Sequence, residues 1–88
     1  MLARSHGDSS GAKLKARSWE DRIRLFLKVE IKRANISYEE LAARLKDHGI
    51  NENAAALANK LDRGTFAATW FLACLAALEL DGIRLEDI

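Results

Sequence analysis

The chain has 88 residues and a net charge of +1; 49% of its residues are hydrophobic and 31% are charged. This length supports one hydrophobic core and is too short for two ordinary domains, and the composition excludes a disordered chain. Proline is absent and strong helix formers dominate, so we expect an all-α domain without a sheet.

The sequence gives no sign of export, membrane insertion or a disulfide. The single cysteine, Cys74, has no second cysteine for a bridge and no metal-ligand spacing around it. The most apolar stretch, residues 66–80, is shorter than the roughly 20 residues that cross a bilayer. The first residues are polar where a secretion signal is apolar. We therefore expect a cytoplasmic protein that contacts no membrane.

Residues 1–17 show no apolar periodicity, and we expect them to be a flexible basic leader ahead of one helical domain, residues 18–88. Asp8 is the only acidic residue of the leader, against four basic ones: Arg4, Lys13, Lys15 and Arg17. Such a leader can approach nucleic acid, although a merely solubilising segment has the same composition.

The first two helices of the domain have clear start signals. Ser18 is the expected N-cap of the first helix, and Asn35 can adopt the left-handed backbone that ends it. Ser37 is the expected N-cap of the second helix. Glu40, three residues later, can bond back to the backbone N–H of Ser37 and complete a capping box. Residues 47–49 then interrupt the helical pattern.

The third and fourth helices follow the same logic. Asn51 or Asn53 caps the third helix, and Gly64 ends it. Thr65 is placed to cap a fourth helix that runs from residue 66 to about residue 80, where Asp81 and Gly82 follow. Its apolar residues cover nearly the whole circumference, so this helix must be covered on more than one side.

Two short runs carry the first signal of function. Residues 35–42 (NISYEELA) resemble the start of the helix-turn-helix in phage-repressor-like regulators, and residues 61–64 (LDRG) resemble the segment that closes their recognition helix. The resemblance implies a compact bundle of about four helices that presents the third helix to DNA. Residues 41–64 are several residues longer than the usual motif, so we expect an extended helix-turn-helix.

The domain as a whole, residues 19–85, is similar to a family of short bacterial proteins known only as a domain of unknown function. The similarity rests on residues 27–28 (LK), 30–33 (EIKR), 37–38 (SY), 40–42 (ELA), 59–61 (NKL), 63–66 (RGTF), 71–72 (FL) and 74–75 (CL). It implies a compact helical fold and no established activity.

The third helix carries the candidate base-reading residues. Helical spacing predicts one outward stripe, flanked by two further polar residues. The stripe is Glu52, Ala56, Asn59 and Arg63, and the flanking residues are Asn53 and Lys60. Asparagine can read adenine and arginine can read guanine, while a small alanine permits close approach. An ordinary solvated face has the same pattern, and Glu52 with Asp62 would repel phosphates.

The first helix carries candidate phosphate contacts. Arg24, Lys28 and Lys32 recur every four residues opposite the apolar face, and Tyr38 could offer its hydroxyl to a phosphate. The cations could equally form a solvated face, with Arg24 paired to Glu20. The ring of Tyr38 could instead pack on its own helix.

Glu30 projects into the apolar face of the first helix, where an unpaired carboxylate is costly. Arg63 is the preferred partner, and Arg33 is the local alternative. If Arg63 were so engaged, its role would be structural and the base-reading stripe would lose its strongest member.

No group of residues suggests catalysis. His6 and His48 lie far from any evident constellation of Ser, Cys or acidic residues, a phosphate-binding loop is missing, and Cys74 lies in an apolar stretch that should bury it. We expect no enzyme activity, metal, cofactor or small-molecule substrate. The predicted function is DNA binding by a transcriptional regulator or accessory factor; the alternative is a protein-interaction module on the same scaffold.

The fourth helix also predicts a homodimer. Trp70 and Phe71 point about 100° apart and are hard to bury together in a small monomer, so a second copy could cover one side. The competing prediction is a monomer in which residues 83–88 fold back as a lid through Ile83 and Leu85.

Overall fold

The fold consists of four α-helices. The computed structural model describes residues 17–88, so the predicted leader, apart from Arg17, lies outside the described residues. The helices are α1 (Trp19–Ala34), α2 (Tyr38–Lys46), α3 (Ala54–Arg63) and α4 (Ala68–Ala77), and a 3-10 turn (Leu85–Asp87) follows them. The prediction of an all-α bundle of about four helices is confirmed. Within residues 17–88, none of the helices has the length and hydropathy needed to cross a membrane.

The N-terminal caps of the first three helices are where the sequence predicts them. Ser18 Oγ accepts a hydrogen bond from the Asp21 amide at 3.1 Å, and Ser37 Oγ accepts one from the Glu40 amide at 3.0 Å. Asn53 Oδ1 accepts one from the amide of residue 56 at 2.8 Å, which decides between the two candidate caps of α3. Each cap satisfies an amide that has no partner within its helix.

The capping box at α2 is only half formed. The carboxylate of Glu40 does not return to Ser37; it accepts a hydrogen bond from Arg44 Nε at 3.2 Å, one helical turn later. Arg44 also donates to the carbonyl oxygen of Ala77 at the end of α4. Arg44 is held between α2 and α4, so it is a fixed, charged partner for the carboxylate of Glu40. Its hydrogen bond to that carboxylate is stronger than the one that the Ser37 amide would make.

The fourth helix is shorter than predicted at both ends. It begins at residue 68, after Ala67, and Thr65 does not cap it. Phe66 precedes the helix because its ring packs in the core, with its centroid 4.8 Å from that of Trp70 and 6.1 Å from that of Phe71. At the other end Glu79 adopts φ 62°, so the left-handed residue that ends this helix comes before the predicted stop at residues 81–82.

The core lies where all four helices meet. α2 packs against α3 and α4, and α1 packs against α3. Six side chains are almost fully enclosed: Leu27, Leu41, Leu45, Leu57, Leu61 and Cys74. α2 and α3 each contribute two leucines four residues apart, and α1 contributes Leu27, to one shared core.

Residues 83–88 fold back on α1. The side chain of Ile88 is buried, and its main-chain oxygen accepts hydrogen bonds from Arg22 Nε at 3.1 Å and Nη2 at 2.9 Å. Of the two predicted lid residues, Ile83 is half-buried, whereas Leu85 is exposed. The 3-10 turn reverses the chain after Leu85 and thereby brings Ile88, rather than Leu85, against the helix.

Gly64 fixes the end of α3 against the start of α1. Its φ is 69°, and a Cβ atom at this position would lie 2.6 Å from the carbonyl oxygen of Glu20. Glycine is therefore required twice here, for the left-handed backbone and for the close approach of two main chains. Gly49 has a φ of 84° but no atom within 4 Å of its hypothetical Cβ.

These two glycines allow the two requirements to be separated. Gly49→Ala should cost about 1 kcal/mol through the left-handed backbone alone. Gly64→Ala should cost about 2 to 4 kcal/mol, because overpacking against the main chain adds to the same backbone penalty. Urea unfolding of both variants measures the difference. Equal losses of stability would contradict the close approach of α3 to α1.

Candidate nucleic-acid interface

The outward face of α3 presents two of the five predicted base-reading residues without obstruction. Asn59 and Arg63 are exposed and lie one helical turn apart on this face. Arg63 forms no ion pair with any residue in the described range 17–88. Its guanidinium and the Asn59 amide are thus available to an external ligand.

The other three predicted base-reading residues are partly buried or bonded within the fold. The side-chain oxygen of Asn53 is occupied by capping, and Ala56 is half-buried. Lys60 pairs with Glu52 and lies 5.3 Å from the centroid of the Trp70 ring. Lys60 is therefore drawn toward α4, away from the outward face.

Glu52 does not begin the outward stripe, and this part of the prediction is wrong. It lies before α3, and its Oε1 accepts a hydrogen bond from the indole Nε1 of Trp70 at 2.9 Å. Trp70 is only 3% exposed, and a buried indole N–H needs an acceptor. Residues 47–53 supply that acceptor by packing back onto α4, so the carboxylate faces inward.

The N-terminal member of the outward face of α3 is Ala55 rather than Ala56. Ala55, which the predicted stripe does not contain, is exposed one turn before Asn59, whereas Ala56 is half-buried. The signal that could have found it is the register itself, since counting back from Asn59 by one turn reaches Ala55 as well as Ala56. Ala55 therefore places a small side chain on the exposed face, one turn before Asn59.

Asp62 is the second carboxylate that was expected to repel phosphates. Lys28 Nζ of α1 lies 3.1 Å from its Oδ1, so the two charges offset each other at the edge between α1 and α3. Both side chains are substantially exposed, and such a pair stabilises the fold by no more than about 1 kcal/mol. The pair therefore lowers the negative charge beside Arg63 without making Lys28 inaccessible.

The predicted cation stripe of α1 is divided by these pairings. Arg24 pairs with Asp21 rather than with Glu20, and Lys28 pairs with Asp62. Lys32 is exposed and forms no ion pair within the described residues. Tyr38 is half-buried and packs against the core from the first turn of α2. Among Arg24, Lys28 and Lys32, only Lys32 is thus without an ion pair to a described residue.

Glu30 pairs with Arg33 and not with Arg63, so the preferred partner was wrong and the local alternative is confirmed. Arg33 Nη1 lies 3.2 Å from Glu30 Oε2. The Glu30 side chain is only 14% exposed, whereas that of Arg33 is 73% exposed. An arginine three residues away on the same helix reaches the carboxylate without moving α3, which leaves Arg63 on the outward face.

The N-terminal end of α3 also differs from those of the two preceding helices. The first turns of α1 and α2 each contain two acidic residues, and the first turn of α3 contains none. The partial positive charge of this helix end is therefore not opposed by a carboxylate in its own first turn. The adjacent Asn51 and Asn53 are exposed.

Cys74 is unsuited to nucleophilic chemistry. Burial, and secondarily the negative charge of Glu52, raises the pKa of its thiol to about 12, although Lys60 acts in the opposite direction. The thiol therefore stays protonated at neutral pH. Within residues 17–88 no cluster of three metal-binding side chains occurs.

The raised pKa of Cys74 predicts a pH-dependent loss of stability. Between pH 9 and about 12 the unfolded thiol loses its proton while the folded one keeps it. The folded state then binds more protons, so the free energy of unfolding should fall with rising pH, by up to about 1.4 kcal/mol per pH unit. Denaturant unfolding from pH 8 to 11 should show a steeper fall for the wild type than for Cys74→Ala. Equal slopes would contradict a buried, protonated thiol.

The comparisons with known proteins identify a family and no activity. The sequence profile of a family described as domain of unknown function (DUF6471) matches residues 19–83. No curated protein and no solved structure gave a significant match.

Proposed function

The chain belongs to the DUF6471 family, and we propose that it is a DNA-binding helix-turn-helix protein, acting as a transcriptional regulator or an accessory factor. The observation that carries the proposal is the outward face of α3. Arg63 and Asn59 are exposed there, while the two carboxylates that were expected to repel phosphates, Glu52 and Asp62, are each paired with a lysine.

The proposed mechanism places α3 in the major groove. Arg63 would donate two hydrogen bonds to O6 and N7 of a guanine, and Asn59 would pair with N6 and N7 of an adenine. The small side chain of Ala55 allows the helix to approach the bases. Because Asn59 and Arg63 are one turn apart, the proposal favours a site in which these two bases are near neighbours.

The phosphate contacts come from the border of the same face. Lys32 forms no ion pair with a described residue, and the first turn of α3, which Asn53 caps, contains no carboxylate that would repel a phosphate. Arg24 and Lys28 contribute by exchanging their carboxylate partners for phosphate. Tyr38 can add its hydroxyl from the start of α2.

A homodimer through α4 is part of the proposal because paired half-sites require two copies of α3. Trp70 is buried and Phe71 is half-buried within the monomer, so the outward face of α4 is centred on Leu72, which is 60% exposed. Ala68, Thr69 and Ala76 surround it. Sedimentation equilibrium of the wild type should give a mass above the 9.8 kDa of one chain, and Leu72→Glu should return it to one chain. A constant monomer mass at all concentrations would reject the dimer.

The alternative function, protein–protein interaction, is supported by a different surface. Leu25 is half-buried and Val29 is 47% exposed on the solvent side of α1, where an ordinary surface helix carries polar residues.

The DNA proposal is tested by selection from a random double-stranded pool at low and moderate salt. The wild type should enrich a preferred sequence, with affinity that falls as salt rises. Arg63→Ala and Asn59→Ala should each weaken binding to that sequence by about 5- to 150-fold and relax specificity at one base pair. Their thermal melts should match the wild type, because neither side chain has a partner within the described residues.

The matched control is Arg84→Ala, which removes an exposed arginine from the C-terminal segment. It should bind the selected DNA as the wild type does. Failure to enrich any sequence, or an equal loss of affinity in Arg84→Ala and Arg63→Ala, would reject base reading by α3.

A further inference from the structure

An apolar groove runs along the solvent side of α1 to the start of α2. Its volume is about 400 Å³, within the range of sites that enclose part of a ligand. Leu25 and Val29 form one wall, and Ile36 and Tyr38 form the other. The wall residues are partly exposed, so the groove is open to solvent.

The charged residues that line this groove are both lysines. Ile31, Lys28 and Lys32 complete the lining, which contains no carboxylate. A second cleft of about 380 Å³ lies across Val29 and is also lined by Leu25, but its charges are mixed because Glu30 and Asp87 contribute to it. The two clefts therefore differ in the ligand charge that they favour.

We propose that the groove lined by Val29, Ile36, Tyr38 and Lys32 binds an acidic amphipathic helical segment of a partner protein. Two or three apolar side chains of the segment, spaced along one helical face, occupy the groove between Val29 and Tyr38. Carboxylates on the flanks of that face meet the Tyr38 hydroxyl and Lys32, which forms no ion pair with a described residue.

The positive charge of Lys32 beside the groove favours an acidic segment over a basic or neutral one. Lys28 already shares its charge with Asp62, but Lys32 lies one turn further along α1 without such a partner in residues 17–88. A basic or neutral segment would leave the Lys32 charge beside the apolar contact without compensation. An acidic segment compensates this charge, and the attraction between the opposite charges also raises the rate of association.

This interaction does not depend on DNA binding. Lys32 and Tyr38 also belong to the phosphate-contacting border proposed for DNA, so the acidic segment and DNA should compete for that border. Direct binding of the segment in the absence of DNA is the property to be measured.

The test is a ¹⁵N NMR titration of the full chain with a synthetic amphipathic peptide of about 14 residues, with leucines at helical spacing and glutamates elsewhere. The backbone amides of Val29, Ile36 and Tyr38 should shift most. A peptide with glutamine in place of every glutamate should bind at least about fivefold more weakly, because it loses the contact with Lys32.

Two variants and one matched control localise the binding. Val29→Asp and Lys32→Glu should each weaken binding of the glutamate peptide at least about fivefold. Lys32→Glu changes an exposed residue, so it still tests the proposal if Val29→Asp impairs folding. Lys46→Glu, which reverses the charge of an exposed lysine outside the groove, should bind normally. The proposal is overturned by absence of binding, by equal affinity for the two peptides, by an equal loss in Lys46→Glu and Lys32→Glu, or by shifts centred on α4.

Discussion

A tryptophan that is buried at the centre of a small domain must find an acceptor for its indole N–H, and in this chain the acceptor is a carboxylate from a loop. Trp70 of α4 donates to Glu52 at 2.9 Å, and Lys60 of α3 compensates the charge. The contact ties Glu52, which lies just before α3, to α4, and the pair between Glu52 and Lys60 links the same carboxylate to α3. The inward direction of the Glu52 carboxylate, and the position of the N-terminal end of α3 against α4, depend on this contact.

The ion pairs show which cations near α3 are already paired with a carboxylate and which are accessible to a ligand. Lys60 and Lys28 are held by Glu52 and Asp62, which leaves Arg63 and Lys32 without acidic partners among the described residues. The slightly negative net charge of the domain therefore does not indicate the charge of the α3 face. The face of α3 that carries Arg63 is less negative than its sequence indicates, because its carboxylates are compensated within the fold.

Local signals in the sequence predicted local structure well. The caps at Ser18, Ser37 and Asn53 and the helix stop at Gly64 need only the residues within one turn, and all are present. The misplaced cap at Thr65 has a different origin. Phe66 packs against Trp70 and Phe71, and this tertiary contact outweighs the hydrogen bond that Thr65 could have made.

Among the site residues, too, local features could be predicted from the sequence and tertiary contacts could not. Exposure of Asn59 and Arg63 follows from helical periodicity, so the sequence was sufficient. The inward turn of Glu52 and the pairing of Lys28 with Asp62 join segments that are distant in the chain, and a single sequence carries no direct record of such contacts. Glu30 is the instructive case, because two arginines satisfied its chemistry and only the packed structure selects Arg33.

Whether α3 presents its outward face to DNA is tested most directly by a ¹⁵N NMR titration of the full chain with a short random-sequence duplex. The largest shifts should fall on the amides of Ala55, Asn59 and Arg63, with the Arg63 side-chain Nε–H among the perturbed signals. Shifts confined to the α1 groove or to α4, or no shifts at low salt, would contradict DNA binding through this face.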